Sequence, residues 1–286
     1  MTWSMDTPFA VIRFTGADAA DFLQGQLTQD VRELESAGAR LAAWCNPQGR
    51  VLVVARLVAL EDGIGLAVPA SLADALIARF SLYRLRSRVE FAADASVQAL
   101  ATADAGDLAR LEQAGLRPAP GERTPARRAH GVVALAPGGA AGFVELYGRA
   151  ADLERAGVAR PLDGAGWQRA LVEAGVPTVL EATREKYTPH MLNLDRLGAV
   201  SFSKGCYTGQ EVVARTEHLG RVKRRIAGYR LDGGTAAPGD RVLEGDREVG
   251  EVVNAAGDRL LAVVPVELHA ATLAVNGRPA LPLQRD

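Results

Sequence analysis

The chain contains few of the residues from which disulfide scaffolds and metal sites are built. Its 286 residues include two cysteines, Cys45 and Cys206, and four histidines. One pair of thiols cannot form a disulfide framework and suits a reducing compartment. A zinc or iron-sulfur site held by one chain needs about four cysteine or histidine ligands in closely spaced pairs, and the sequence has no such pairs. We therefore expect no stably bound metal.

Long apolar runs and a strong charge of one sign are also missing. The apolar stretch 51–60 is interrupted by Arg56, and no uncharged apolar run reaches the ~18 residues of a membrane span. No basic and apolar leader opens the sequence, so we expect a soluble, cytoplasmic protein. The formal net charge of −1 argues against a protein that coats nucleic acid by bulk attraction. A local basic patch leaves direct tRNA binding open.

The residues that are present predict a globular α+β protein. Hydrophobic residues make up 48% of the chain and charged residues 23%, which is enough to form a core. Residues 117–130 lack apolar periodicity and are predicted to form a surface loop. After Ile226, short apolar runs alternate with turn residues, which predicts a small antiparallel β-barrel. Elsewhere the patterns predict strands at 9–14, 50–60, 65–69, 89–91, 97–101, 132–136 and 143–147, and helices at 18–25, 71–82, 149–157 and 164–174.

The most informative stretch, which we call the signature loop, reads F-S-K-G-C-Y-T-G-Q-E from 202 to 211. Two glycines bracket the thiol of Cys206, and glycines this close predict a backbone with positive φ or a close approach by another group. Lys204 stands two residues before the thiol, and a nearby ammonium favours the thiolate. We therefore predict an accessible, reactive Cys206 and a packed Cys45. A buried, inert Cys206 is the alternative.

The signature loop closely resembles the K-G-C-Y-x-G-Q-E signature of the YgfZ family. Members of this family are folate-binding relatives of the glycine-cleavage T-protein, implicated in iron-sulfur cluster maintenance and tRNA modification. Three further blocks occur in the family's order: residues 12–31 with the element L-Q-G-Q-L-T-Q-D, the turn N-P-Q-G-R at 46–50, and Trp167 ahead of G-V-P at 175–177. Four ordered blocks are hard to obtain by chance.

The resemblance implies an α+β fold, a T-protein-like ring of two discontinuous α+β lobes followed by a C-terminal antiparallel β-barrel. On this basis we expect the first lobe at residues 1–42 and 97–180. The second lobe, which carries the signature loop, is expected at 43–96 and 181–228, and the barrel at 229–286.

The resemblance also implies which residues bind folate. Trp167 lies where the family stacks a pterin, and the second aromatic position holds Phe9, which keeps a stacking face but has no indole N–H. By analogy Gln24 and Gln26 line the cavity. The sequence itself adds Arg225, which closes the basic run Arg221, Lys223, Arg224 and Arg225; such a run is either a solvated face or a contact for a polyglutamate tail or an RNA phosphate. The implied ligand is tetrahydrofolate or a derivative, polyglutamylated forms included.

The leading hypothesis is a tetrahydrofolate-binding accessory protein that supports iron-sulfur cluster assembly or repair in client enzymes, including tRNA-thiolating ones. In this hypothesis Cys206 supplies one ligand to a transient cluster, and a second chain or a small thiol completes it. The functional residues of the loop are then Lys204, Gly205, Cys206, Tyr207, Gly209, Gln210 and Glu211.

Two alternatives belong to other functional classes. A folate-dependent aminomethyl or one-carbon transferase needs a carboxylate base, for which Asp30 and Glu211 are the candidates. An RNA-binding module is the second alternative. The sequence leaves open the folate form, the clients, the oligomeric state and whether any reaction is catalysed.

Overall fold

The structure, a computed structural model, describes residues 7–119, 125–139 and 142–283. The N-terminal third supplies β1 (Phe9–Thr15), β2 (Ala39–Cys45), β3 (Val51–Leu60), β4 (Gly63–Pro69) and β5 (Glu90–Ala93). These strands form one antiparallel sheet in the order β2-β3-β4-β1-β5. The helices of this region are α1 (Ala19–Gln24), α2 (Leu34–Ala37) and α3 (Ala73–Arg84).

Strand β3 shows that this first sheet is covered on both faces. Its residues V-L-V-V-A-R-L-V-A-L are buried almost throughout, which is the pattern of a strand without a solvent face. Leu52 packs in a cluster with Phe22 of α1 and Phe80 of α3. Val54 packs on the opposite side with residues of a second sheet, including Val133. The first sheet is therefore the middle layer of the N-terminal part of the fold.

The second sheet is formed by β6 (Val97–Thr102), β7 (Ala126–Ala129), β8 (Val132–Leu135) and β9 (Val144–Arg149), in the order β6-β9-β8-β7. Its helices are α4 (Ala105–Gln113), α5 (Ala150–Ala156) and α6 (Gly164–Ala174). Helix α6 begins because the Asp163 side chain accepts the N–H of Gly166, and it ends at Gly175 in the left-handed conformation. These end signals fix α6 between the second sheet and the barrel.

After α7 (Gln210–Leu219), the chain closes into a barrel. Its strands are β10 (Arg224–Leu231), β11 (Arg241–Glu244), β12 (Arg247–Ala256), β13 (Arg259–Pro265), β14 (Leu273–Val275) and β15 (Arg278–Pro282). Alternate side chains such as Tyr229, Val252 and Leu260 fill the interior. The predicted barrel is confirmed; its first strand begins at Arg224, two residues before the start that the sequence pattern indicates and five before the boundary that the resemblance implies.

One strand and one lobe boundary differ from the expectations drawn from the sequence. Residues 126–129 form β7 by antiparallel pairing with β8, although the whole stretch 117–130 was expected to be a loop. The expected lobe boundary between residues 42 and 43 falls inside β2, which pairs with β3 from Ala39↔Val58 onward. Strand pairing therefore keeps residues 9–93 in one sheet and changes sheet at 94–96. Among the described residues, every helix is too short or too polar to cross a bilayer.

Candidate functional site

The signature loop is fastened at both ends to the segment that follows α1. The N–H of Ser201 donates to the carbonyl of Thr28 at 2.9 Å, and the N–H of Thr208 donates to the carbonyl of Gly25 at 3.1 Å. The Thr208 hydroxyl also donates to Gln26 Oε1 at 3.3 Å. The last two residues of the loop begin α7. The loop is therefore a rigid part of the fold.

Lys204 is the main internal fastening of this loop. Its side chain is buried, and Nζ donates to the backbone carbonyls of Gln24 at 2.7 Å, Leu27 at 2.7 Å and Gln29 at 3.0 Å. An ammonium has three hydrogens, so these bonds use all of its donors. Burial lowers the pKa of Lys204 to about 8, and the Asp30 carboxylate opposes this shift. The ammonium that was expected to favour the Cys206 thiolate is thus directed at the 24–29 backbone.

The two glycines of the loop have different roles. Gly209 has φ +82°, and a Cβ there would lie 2.5 Å from the carbonyl oxygen of Asn46 and 3.0 Å from the Cα of Gly49. A side chain at 209 is therefore excluded by both conformation and space. Gly205 has no left-handed φ, and a Cβ there would meet no atom within 4 Å. The expected close approach of another part of the chain is found at Gly209, where the 46–49 turn packs, and not at Gly205.

The two thiols have opposite environments, as predicted from the sequence. Cys206 is exposed and Cys45 is buried. Burial raises the pKa of the Cys45 thiol to about 12. The side chain of Tyr207, also in the loop, is buried, and the Lys204 ammonium lies 5.2 Å from its ring centroid. Burial, with a smaller contribution from Cys45, raises the pKa of Tyr207. The loop therefore presents one thiol to solvent above a packed aromatic ring.

Asp30 and Gln24 belong to a helix-capping network. Asp30 caps the short turn at 31–33, and its Oδ1 accepts the N–H of Arg32 and the Nε2 of Gln24, both at 3.0 Å. Gln24 Oε1 in turn accepts the N–H of Val31 at 2.7 Å. The other candidate base, Glu211, is exposed and pairs with Arg215 at 2.7 Å. Both carboxylates thus have structural partners.

Trp167 and Phe9 meet in a buried group that we call the core polar cluster, with Arg56, Glu145 and Tyr147. The two rings lie 5.2 Å apart between centroids at 52°. Trp167 Nε1 donates to Glu145 Oε1 at 2.9 Å, and the Tyr147 hydroxyl donates to Glu145 Oε2 at 2.8 Å. Trp167 is 1% exposed. In this arrangement the Trp167 ring is a core side chain packed against Phe9.

Arg56 holds this cluster together. Its guanidinium forms two hydrogen bonds to Glu145, at 2.9 and 2.8 Å, and lies 4.2 Å from the centroid of the Phe9 ring. Burial alone would lower the pKa of Arg56, but the Glu145 carboxylate outweighs burial and raises it. Among the described residues, Arg56 Nη1 is buried without a hydrogen-bond partner. One signal for this site is visible in the sequence, namely an arginine inside an apolar strand.

Arg225 lies in a third place, where the barrel meets the segment 190–195. Its guanidinium pairs with both carboxylate oxygens of Asp195, at 2.9 and 2.8 Å, and donates to the carbonyl of His190 at 2.9 Å. Burial raises the pKa of Asp195, but the hydrogen bonds and charge of Arg225 hold it below its ordinary value. His190 Nε2 lies 3.0 Å from Glu217 Oε2. His190, Asp195 and Glu217 could together approach a cation, but Arg225 already holds the Asp195 carboxylate.

Comparison with known proteins identifies the family of the chain. Residues 223–284 match the family described as CAF17, C-terminal beta-barrel domain. The tRNA-modifying protein YgfZ of Klebsiella pneumoniae (strain 342) is 33% identical over 225 residues, which cover 76% of this chain and 68% of the relative. The tRNA-modifying protein YgfZ of Vibrio atlanticus (strain LGP32) is 30% identical over 268 residues, covering 89% and 77%. The chain belongs to the YgfZ family.

The fold of this YgfZ-family protein has a counterpart among solved structures. The glycine cleavage system aminomethyltransferase T from Bartonella henselae superposes with a TM-score of 0.69 at 18% identity, covering 98% of this chain and 83% of that one. At this identity the likeness establishes the fold alone. The predicted T-protein-like α+β class with a C-terminal barrel is confirmed.

In this YgfZ-family protein the predicted site residues fall into three groups. Lys204, Gln24, Gln26 and Asp30 surround the base of the signature loop. Phe9 and Trp167 share the core polar cluster. Arg225 lies at the barrel junction, where it pairs with Asp195. Sequence reasoning missed the partners that give these residues their roles, namely Arg56, Glu145, Tyr147, His190, Asp195 and Glu217.

Proposed function

We propose that this YgfZ-family protein is a tetrahydrofolate-binding accessory factor that supports iron-sulfur cluster assembly or repair in client enzymes, including tRNA-thiolating ones. The observation that carries the proposal is the exposed thiol of Cys206 on a loop locked by buried Lys204. A thiol that serves a client must be reachable by another molecule and held in a fixed position. Thiolates are preferred ligands of iron-sulfur clusters. The printed name of the relatives, tRNA-modifying protein, supports the link to tRNA modification.

One thiol limits what the protein does with a cluster. Cys45 is buried with a pKa of about 12, so it is not available as a second ligand in the folded protein. The remaining ligands therefore come from the client or from a small thiol. This arrangement suits transient contact with a cluster, because a stably held cluster needs about four ligands from the protein.

The core polar cluster is the proposed position of the pterin ring. It combines aromatic rings with a carboxylate, and buried Arg56 Nη1 is a donor without a partner among the described residues. A carbonyl or ring nitrogen of a ligand would satisfy such a donor. Because Trp167 and Phe9 now pack against each other, stacking on either ring requires that ring to move. The residues fit the chemistry of a polar heterocycle, and binding is expected to be coupled to this movement.

The deciding experiment compares folate binding and client function in two variants. Isothermal titration with tetrahydrofolate up to millimolar concentration is run on wild type, Trp167→Ala and Cys206→Ala, and tRNA thiolation is measured in cells that carry only each variant. Removing Trp167 should weaken folate binding by about 0.5–1.5 kcal/mol beyond the loss of buried area. Cys206→Ala should leave affinity within about threefold, or ~0.65 kcal/mol, while tRNA thiolation is lost.

Two outcomes would contradict the proposal. Absence of any heat at millimolar tetrahydrofolate would remove the folate part. Equal loss of folate affinity in both variants would place the thiol in the ligand cavity. Cys206→Ser serves as a matched control, since it keeps size and polarity and removes only the soft sulfur ligand.

The transferase alternative has less support. Asp30 is held in a cap and Glu211 pairs with Arg215, so neither carboxylate is free in the manner of a general base. Turnover of a methylene-tetrahydrofolate donor by purified protein, abolished by Asp30→Asn, would favour that alternative instead. For the RNA-binding alternative, tRNA affinity that hardly changes with salt would remove phosphate contact as its basis.

A further inference from the structure

Helix α3 carries apolar residues on two opposite faces. Ala73, Leu76 and Phe80 are buried against the first sheet. A second series consists of the exposed residues Ala75, Ala78 and Leu82, spaced by three and four positions, and exposed Leu85 follows immediately after the helix ends at Arg84. We call these four residues the outer face of α3. An amphipathic surface helix needs only one apolar stripe to bind its own core. The outer face therefore has no role in the packing of the described chain.

The outer face contains the two most exposed large apolar side chains of the described residues, Leu82 at 75% and Leu85 at 89% exposure. Leu85 follows the helix with φ 43° and ψ −110°, a left-handed φ that is unfavourable for a bulky residue. Here the strain gives the Leu85 side chain neither burial nor a polar partner. Strained backbone of this kind concentrates at functional sites.

The rim of the outer face carries four arginines, of which two are neutralised by acidic partners and two are not. Residues 75–89 contain four arginines and no acidic residue. Arg79 pairs with Glu185 and Arg88 with Asp18. Arg84 and Arg86 are exposed, and neither forms an ion pair with a described residue. An uncompensated basic rim beside apolar side chains is complementary to a partner with acidic residues around an apolar contact.

Helix α3 is connected to the signature loop by a chain of contacts through Glu185 and Asn46. Arg79 of α3 binds Glu185 at 3.1 Å, and the other oxygen of Glu185 accepts Asn46 Nδ2 at 2.7 Å. The turn that contains Asn46 packs directly against Gly209. A molecule bound on α3 is therefore held on the same rigid framework as Cys206.

We infer that the outer face of α3, with Arg84 and Arg86, docks an acidic amphipathic helix of the client protein. The inference rests on the proposed function, because it names the surface that binds the client that Cys206 serves. Alanines at 75 and 78 allow a helix to approach closely, and the leucines at 82 and 85 provide the side chains that it covers. Single-stranded RNA is commonly bound by base stacking on aromatic side chains, and the aromatic residue beside this face, Tyr83, is packed against Trp44, with centroids 5.8 Å apart.

The first test measures function in cells that carry only one version of the protein. Leu82→Ser/Leu85→Ser should lower tRNA thiolation by on the order of tenfold or more, because burying one leucine is worth about that factor in affinity. Arg84→Glu/Arg86→Glu should also lower it, because the reversed charges repel an acidic partner. Val266→Ser is the control, since Val266 is an exposed apolar residue of similar type, 42% exposed, outside this surface. Far-UV circular dichroism and the urea midpoint should be unchanged in all of these variants, since the altered residues are exposed.

The same experiment separates this inference from the proposed function. If Cys206→Ala abolishes tRNA thiolation and the α3 variants do not, the docking inference is wrong and the proposed function stands. If Cys206→Ala retains thiolation while the α3 variants lose it, the proposed function fails and the docking surface stands. If all variants retain thiolation, both fail.

The second test identifies the occupant. A benzophenone amino acid is placed at position 82 and activated by light in cells, and the crosslinked peptide is mapped. We expect an adduct with a client protein, and Arg84→Glu/Arg86→Glu should abolish it. Exchange of acidic residues in the mapped peptide for lysine should then restore the adduct with that variant. An adduct with tRNA, with lipid or with a second copy of this chain would overturn the inference, as would a client adduct that is insensitive to both charge changes.

Discussion

The protein stabilises two buried cations in different ways. Lys204 of the signature loop is surrounded by three neutral carbonyls, and its pKa falls to about 8. Arg56 of the core polar cluster faces the Glu145 carboxylate, and its pKa is raised. Carbonyl dipoles hold a backbone segment in place but compensate burial of the ammonium only in part, whereas the Glu145 carboxylate more than compensates burial of the guanidinium, which is charged at any accessible pH. Lys204 is thus sensitive to proton concentration, and Arg56 is not.

The largest expected effect concerns the buried thiol of Cys45. Iodoacetamide labelling of Cys45 at pH 8 should be slower than that of a free thiol by about a thousandfold or more, because its pKa is about 12 rather than ~8.5. Cys206 should label readily. If Lys204 holds the loop closed, Lys204→Met should accelerate Cys45 labelling on the order of tenfold through local opening. Labelling of both thiols at the same rate in the native protein would contradict the assigned environments.

Next in size is removal of the carboxylate from the core polar cluster. Glu145→Leu leaves the Arg56 guanidinium buried and unpaired, so the free energy of unfolding should fall by about 3–5 kcal/mol in urea titration. The double variant Arg56→Leu/Glu145→Leu removes both charges and should recover most of the loss. A single variant that loses less than about 1 kcal/mol would show that water reaches the cluster.

The pH dependence of stability distinguishes the two cations directly. Because the folded-state pKa of Lys204 is about 8 and its ordinary value is 10.5, the unfolded chain binds more protons between these pH values. The stability of wild type relative to Lys204→Met should therefore increase by up to about 3 kcal/mol from pH 8 to 10.5, and this gain is lost as pH falls through 8. The comparison of wild type with Arg56→Met should be flat over the same range. A flat Lys204 comparison would mean that the carbonyls fully compensate burial.

The smallest expected effects are on the free energy of unfolding, when each of the two loop glycines is replaced by alanine. Gly209→Ala forces a Cβ against the Asn46 carbonyl at a left-handed φ and should lower the unfolding free energy by about 1–3 kcal/mol. Gly205→Ala should change it by less than about 0.5 kcal/mol, because the added methyl meets no atom. If Gly205→Ala nevertheless reduces tRNA thiolation in cells, the open side of the loop is a contact surface for the client.

Much of the fold could be predicted from local patterns. The barrel strands alternate apolar residues with turn residues, and the ends of α6 carry an aspartate cap and a glycine. Strand β7 could not be predicted, because its residues A-R-R-A have no apolar alternation and are held by pairing with β8. Local sequence indicates a strand when its side chains alternate between apolar and polar or form a continuous apolar run, and β7 does neither.

The candidate site also contains features that local sequence predicts and features that it does not. The exposure of Cys206 and the burial of Cys45 could be predicted from the residues beside each thiol. The partners of Lys204 could not, because every residue has a carbonyl and the sequence does not mark the three that accept. The pair Arg56 and Glu145 is separated by 89 positions, so only the fold brings the two residues together.

The bonds of Lys204 also affect how the protein is made. The ammonium lies 175 to 180 positions after the carbonyls that it binds. A ribosome therefore synthesises α1 and the segment after it long before their fastening residue leaves the exit tunnel. Until then these carbonyls remain solvated, and the first sheet is exposed to cellular proteases and chaperones in an incomplete form. We expect newly made chains to mature only after residue 204 has left the exit tunnel, so nascent chains arrested before that point should be cleaved more readily near residues 24–29 than those arrested after it.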